Sequence, residues 1–380
     1  MKKHTLLKII TGLIALTAVL AVVLVAARKA ASRDVLEDEE STPATLTAVT
    51  LPEESVPGET VPDSTEAPGE EEIVYPAPEY DFKADEITVE IPGLEREYAI
   101  AFVNDVHMIT DHKSGDVTED NLAVVKERYE TLSVTEEGIH AEDLWPQVIA
   151  YLNYNEFDAV IFGGDILDYC SNSNILALKS GLSELKYPDD RIMYIRSDHD
   201  YGGWYGGSGF TDTDGFLLQT FVLDGDVTEK VIEFDEFLVV GINQSYRAIS
   251  QEDYEIIAGN IDSGKPVLIA SHVPFYSEVD DSLEELSMQV RNKIYYWSED
   301  GVNYVPEGWT QELINKIYDE DSNVVQIVAA HMHSSWDGYV TDRLKEHIFA
   351  PVFQGNIGII HVTGGEDEQN ENREETGKLN

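Results

Sequence analysis

The chain has 380 residues, with 25 Lys and Arg against 73 Asp and Glu, for a formal net charge of −48. A surface this acidic repels phosphate backbones, so a general nucleic-acid binder is excluded and a nucleic-acid polymer is not an expected partner. The lone cysteine, Cys170, excludes an intramolecular disulfide and reads as a small buried hydrophobe, which leaves stability to the core and to any bound metal.

Residues 1–33 carry six basic side chains and no acid, and within them Ile9 to Ala27 is a run of 19 residues without a charge. That length just spans a bilayer as a helix, whereas the apolar part of a cleaved signal peptide is shorter, about 7 to 15 residues. The expectation is an uncleaved N-terminal helix that anchors a single-pass protein in the cell membrane with its domain outside the cytoplasm. A cleaved signal would secrete the same domain. Residues 34–80 hold fourteen acids, no base and seven of the 14 prolines. Acidic self-repulsion and proline stiffness make this an extended, disordered linker. The folded domain is expected at 81–365, still at −36, followed by a disordered polar tail at 366–380. No oligomeric state is implied.

Within 81–365, short apolar runs predict strands at Ile87–Ile91, Tyr98–Val103, Ala159–Phe162, Ile192–Ile195, Phe237–Ile242, Pro266–Ala270, Val324–Ala329 and Ile357–Val362. Longer amphipathic stretches predict helices at Asn121–Leu132, Leu144–Asn153, Asn174–Leu185, Gln251–Ala258 and Thr310–Tyr318. Strands and helices alternate, which implies a layered α/β domain.

Five blocks of metal-binding side chains follow the ends of these strands: Asn104-Asp105-Val106-His107, Gly163-Gly164-Asp165-Ile166-Leu167-Asp168, Ser197-Asp198-His199-Asp200, Ser271-His272-Val273 and Ala330-His331-Met332-His333. Ligand sites of α/β sheets lie at carboxyl strand ends, so five far-apart segments can converge on one site. In extended backbone, Asp105 and His107 share a face, as do His331 and His333. Asp198 and Asp200 set two carboxylates beside His199, and these repel one another unless a cation or other partner is present. Each block alone is ordinary; their conjunction is not.

Together the blocks resemble the calcineurin-like metallophosphoesterases, whose pattern runs D-x-H, G-D-x-x-D, G-N-H-D/E, H and G-H-x-H, in that order. The resemblance spans Asp105 to His333 and implies an α/β/β/α sandwich with two mixed sheets. It further implies two divalent metal ions (Mn, Fe or Zn, or else Mg or Ca), one held by Asp105, His107 and His333, the other by Asp198, His272 and His331, with Asp165 bridging. The implied activity is hydrolysis of a phosphomonoester or phosphodiester by a metal-bridging hydroxide, with His199 as general acid, Asp168 orienting its ring and Asp200 assisting. Ser197-Asp198-His199 stands where the family has Gly-Asn-His, and Ala330 replaces a Gly. Asp198 offers a hard cation an anionic oxygen but loses the amide donor that could bond a phosphate oxygen. The alternative reading is therefore a weak or inactive metal-binding extracellular module that recognises a surface ligand. Aromatic residues near the blocks, in Tyr201 to Gly207, at Tyr295-Tyr296-Trp297 and at Trp336, either stack on a substrate base or sugar or pack over the core.

Overall fold

A computed structural model of the chain describes residues 74–110, 121–202, 231–242 and 248–365. The expected membrane span, nearly all of the linker and the tail lie outside these residues. Among the described residues, no helix is long and apolar enough to cross a membrane.

Two mixed sheets form the centre of the domain. The first contains β1 (Lys83–Glu90), β2 (Tyr98–Val103), β3 (Ala159–Phe162), β4 (Ile192–Tyr194) and β11 (Asn356–Thr363), in the order β1-β11-β2-β3-β4. Only its β11–β2 pair is antiparallel. The second contains β5 (Val231–Glu233), β6 (Leu238–Ile242), β7 (Val267–Ser271), β8 (Val324–Ala329), β9 (Trp336–Tyr339) and β10 (Lys345–Ile348), in the order β5-β6-β7-β8-β10-β9, with antiparallel pairs at both edges.

Strand periodicity dictates the layering. In β2, Ile100 and Phe102 join Leu268, Ala270 and Val328 of the second sheet in one buried cluster between the sheets. Their neighbours Ala101 and Val103 point the other way, onto Leu144 and Val148 of α2 (Ala141–Tyr154) and Leu178 of α3 (Asn172–Ser183). The outer face of the second sheet, with Val267, Ile269 and Ile327, is covered by α5 (Gln251–Ile261), α6 (Ser282–Arg291) and α7 (Trp309–Tyr318). The result is the expected α/β/β/α sandwich. Helix starts are chemically marked: Ser250 and Asp253 form a reciprocal capping box on α5, and the Ser171 hydroxyl accepts the Asn174 N–H on α3.

The predicted strands at Tyr98–Val103, Ala159–Phe162 and Val324–Ala329 have those bounds in the structure. Among the elements that were not expected are β5, β9, β10 and α6. In β10, Glu346 and His347 are buried, so polar side chains occupy core positions and hide the strand from an apolar reading. Burial pushes the Glu346 carboxyl well above its ordinary range, and the Phe275 N–H is the donor it accepts. In α6 the buried positions are Leu283 and Ser287, too faint a stripe to read.

Candidate metal centre

All five blocks lie at carboxyl strand ends. Asp105 follows β2, Asp165 follows β3, Asp198 opens the short helix α4 (Asp198–Tyr201) after β4, His272 follows β7, and His331 and His333 follow β8. Their backbone is not the extended one expected from D-x-H and H-x-H. Asp105 (φ 47°), His107 (φ 50°), Asp165 (φ 52°), His331 (φ 73°) and His333 (φ 56°) are all left-handed, and they are five of the seven such non-glycine residues among those described. Left-handed turns, not strand pleating, aim these side chains into the centre. Each such residue costs on the order of 1–3 kcal/mol, and strain of this kind collects at functional sites. Backbone bonds fasten the first two loops together: the Asp105 and His107 N–H groups donate to the carbonyls of Gly164 and Asp165, both at 2.9 Å.

Gly164 (φ 94°) makes the close approach possible. A Cβ there would lie 2.6 Å from His272 Nδ1.

Two groups of side chains that share Asp165 result, beside a third made of His107, Asp168 and His199. In the first, ligand-type atoms of Asp105, His107, Asp165 and His333 all lie within 4.8 Å of one another, and in the second those of Asp165, His272 and His331 do the same. Asp165 belongs to both. Its Oδ2 stands 3.6 Å from His107 Nε2 and 3.4 Å from His272 Nε2. His107 Nε2 faces His333 Nε2 at 3.0 Å, and His272 Nε2 faces His331 Nδ1 at 3.1 Å. Ring nitrogens cannot all satisfy one another in this way, because one proton serves two nitrogens. Asp105 Oδ1 and His331 Nε2 are buried without a hydrogen-bond partner among the described residues. Asp105 Oδ2, by contrast, accepts from Asn104 Nδ2 (2.8 Å) and from the His331 N–H (3.1 Å), which leaves Oδ1 turned to the imidazoles.

This electrostatics fits cations. Burial opposes ionisation of Asp105, yet His333 and His272 hold its carboxyl below the usual range; burial likewise opposes ionisation of Asp165, which His272 and His199 keep low. Against burial, the Asp165 carboxylate pushes His272 up to about 10, while burial brings His333 down to about 4. Anionic oxygens crowded by mutually facing ring nitrogens are a donor set for divalent ions. The His272 Nδ1–H donates to the Gly163 carbonyl at 2.8 Å, and His107 Nδ1 bonds Asp168 Oδ1 at 2.9 Å, so both rings present Nε2 to the centre.

Around this centre the remaining predicted residues take distinct places. The Asp168 carboxylate bonds His107 and accepts two bonds from Arg128, Nε to Oδ2 at 2.8 Å and a terminal nitrogen to Oδ1 at 2.5 Å. Burial works against its charge, but Arg128 and His107 keep it ionised. Asp168 meets His199 both through its main chain, His199 Nδ1 donating to the Asp168 carbonyl at 2.8 Å, and through its carboxylate, whose Oδ1 stands 3.8 Å from the same nitrogen. No helical turn links Asp165 to Asp168; that segment is a loop. Asp200 is buried and accepts from the N–H groups of Asp165, Leu167 and Ser197 and from the Tyr194 hydroxyl, so it binds two loops to one another. The Ser197 hydroxyl contacts Asp165 Oδ1, leaving Oδ2 to the two groups. Asp198 joins neither group, although its charge acts on His199, Tyr295 and Tyr304.

Sequence reasoning missed Arg128, which sits on α1 (Leu122–Thr131) with no local signal, and Ser197, read only as a departure from the family's Gly. Replacing Arg128 by Ala leaves Asp168 without its guanidinium and loosens His107. Affinity for divalent cations is expected to fall about 10- to 100-fold, as measured by calorimetric titration with Mn or Zn.

The aromatic residues resolve toward packing. Trp336 is buried in the outer core and donates Nε1–H to Ser282 Oγ at 3.1 Å, and Tyr296, Trp297 and Tyr201 are also buried. Tyr295 stacks on the His331 ring with centroids 4.3 Å apart. Residues 203–207 lie outside those described.

The chain resembles three solved structures: a dimetal phosphatase from Danio rerio (11% identity, 68% of this chain and 88% of that one, TM-score 0.41), a purple acid phosphatase from yellow lupin, Lupinus luteus (14%, 73% and 45%, 0.37), and a phosphopantetheinyl hydrolase from Mycobacterium tuberculosis (11%, 67% and 89%, 0.34). No curated protein sequence gives a significant match. The sequence model of the calcineurin-like phosphoesterases matches residues 98–335, well over half the chain and all five blocks. The chain therefore belongs to the calcineurin-like phosphoesterase family and is a metal-dependent phosphoester hydrolase.

Proposed function

We propose that the protein hydrolyses a phosphomonoester or phosphodiester outside the cytoplasm, tethered to the membrane through the apolar run Ile9 to Ala27 and held off it by the acidic linker. The observation that carries the chemistry is the place of Asp165 in both side-chain groups. Asp105, His107 and His333 would hold one divalent cation, and His272 and His331 the other, with Asp165 between them. Asp198 is assigned to the second cation on the family pattern and on its charge acting on the neighbouring His199, Tyr295 and Tyr304. A pair of divalent ions supplies a water of lowered pKa as nucleophile and offsets charge on the phosphate.

The chain's own residues do the rest. His199 has its Nδ1 proton committed to the Asp168 carbonyl, so Nε2 carries the exchangeable proton. Burial disfavours its charge, yet Asp165, Asp168 and Asp198 raise its pKa, which suits a proton donor to the leaving oxygen. Replacing His199 by Ala should lower turnover of esters with poor leaving groups by about 10²- to 10⁴-fold, with a smaller loss on activated aryl esters. Equal losses on both substrates would remove the general-acid role. The reading as a whole is tested by metal analysis of the purified protein together with assays of generic mono- and diesters after adding Mn, Zn, Fe, Mg or Ca. A folded protein that takes up no divalent ion would refute it.

A further inference from the structure

We propose that Arg291 binds the substrate phosphate and biases this centre toward phosphomonoesters. The inference rests on the phosphoesterase reading and deepens it.

Arg291 closes α6. At its end, Asn292 adopts a left-handed cap (φ 54°), and Ser287 pins the returning chain: its hydroxyl donates to the Lys293 carbonyl (2.8 Å) and accepts the Tyr295 N–H (3.0 Å). Farther along, the Trp297 N–H donates to the Pro274 carbonyl at 2.8 Å, which ties this segment to the loop carrying His272. Arg291 is thus held on a fixed frame beside the metal centre. One terminal guanidinium nitrogen donates to the His331 carbonyl at 2.9 Å. The Nε–H is buried and has no partner among the described residues. After burial and nearer groups, the Arg291 charge also depresses both His331 and His333, one from each side-chain group.

A buried guanidinium N–H left unpaired is costly, and an anionic oxygen is its natural acceptor. A molecule of net charge −48 repels a dianionic substrate at long range, and a guanidinium beside the divalent ions adds to its local capture. A monoester phosphate has three non-bridging oxygens and up to two charges, against two oxygens and one charge in a diester. The additional oxygen is the one a guanidinium can take up. Asp198 cannot serve as that donor, because an ionised carboxylate only accepts.

The same wall argues against recognition by stacking. Tyr295 is stacked on His331, and Lys293 Nζ stands 4.0 Å from the centre of the same ring, so that ring is already engaged by two protein side chains. The wall presents charge rather than an aromatic platform.

The test uses the full-length chain, purified in detergent and loaded with divalent metal, as wild type, Arg291→Gln and Arg291→Lys. Metal content is measured first, inorganic phosphate is then titrated by calorimetry, and kcat/KM is compared for p-nitrophenyl phosphate and bis-p-nitrophenyl phosphate. The expected result for Arg291→Gln is full metal content, phosphate affinity weakened about 10- to 100-fold, and a matching loss on the monoester with little change on the diester. Arg291→Lys should recover part of the loss. Unchanged phosphate affinity, or equal losses on both esters, would overturn the proposal. So would loss of metal in Arg291→Gln, since Arg291 would then only be propping His331. A wild-type protein without metal refutes the metal centre itself, which the first measurement reveals separately.

Discussion

Asp165→Ala should leave the protein with neither divalent cation and reduce phosphoester hydrolysis by more than about 10³-fold, because metal-assisted steps contribute several kcal/mol to such reactions. The expectation follows from position. Asp165 Oδ2 lies within 3.6 Å of His107 Nε2 and 3.4 Å of His272 Nε2, so one truncation opens both groups. His333→Ala, whose ring belongs to the first group alone, should spare the second cation. Mass-spectrometric metal counting on the two variants decides the matter: an Asp165→Ala protein that retains one ion per chain would show that the groups are independent.

The second large effect is expected at Gly164, which makes no contact through a side chain of its own. An alanine there would have to adopt φ 94° and place its Cβ 2.6 Å from His272 Nδ1, displacing the ring from its bond to the Gly163 carbonyl. Left-handed strain of about 1 kcal/mol and overpacking of about 1–3 kcal/mol should together lower stability by roughly 2–4 kcal/mol, and the second cation should be lost with His272. Gly93 provides the control, since it has nearly the same φ (93°) but open space where a Cβ would go. Gly93→Ala should show the small strain cost and keep both ions. Thermal unfolding and metal content on the pair separate backbone strain from the steric blow to the ring; equal behaviour of the two variants would contradict the argument.

Most of the fold and the membership of the centre were legible in the sequence, for a physical reason. Buried parallel strands such as Ala159–Phe162 and Val324–Ala329 are unbroken apolar runs, and the polar blocks directly after them stand out by contrast. What could not be read was conformation and support. The left-handed turns at Asp105 and His331 leave no compositional trace, because Asp and His tolerate a φ that is usually given to glycine. Arg128 and Arg291 come from helices whose local patterns mention no site, and they reach it only through tertiary packing. Asp198 is the one predicted ligand that falls in neither of the two groups sharing Asp165. The strand Lys345–Ile348 escaped notice because it buries a glutamate and a histidine where an apolar pair was sought.

Each group of candidate ligands draws on both layers of the sandwich: Asp105, His107 and Asp165 extend from the first sheet and His333 from the second, while Asp165 faces His272 and His331 across the same seam. An ion seated in either group would act as a rivet through two plates. Resistance to unfolding and catalytic competence would then answer to a single outside variable, the free concentration of divalent metal around the domain. For a protein with one cysteine and no intramolecular disulfide, that variable would do the work that cross-links perform elsewhere.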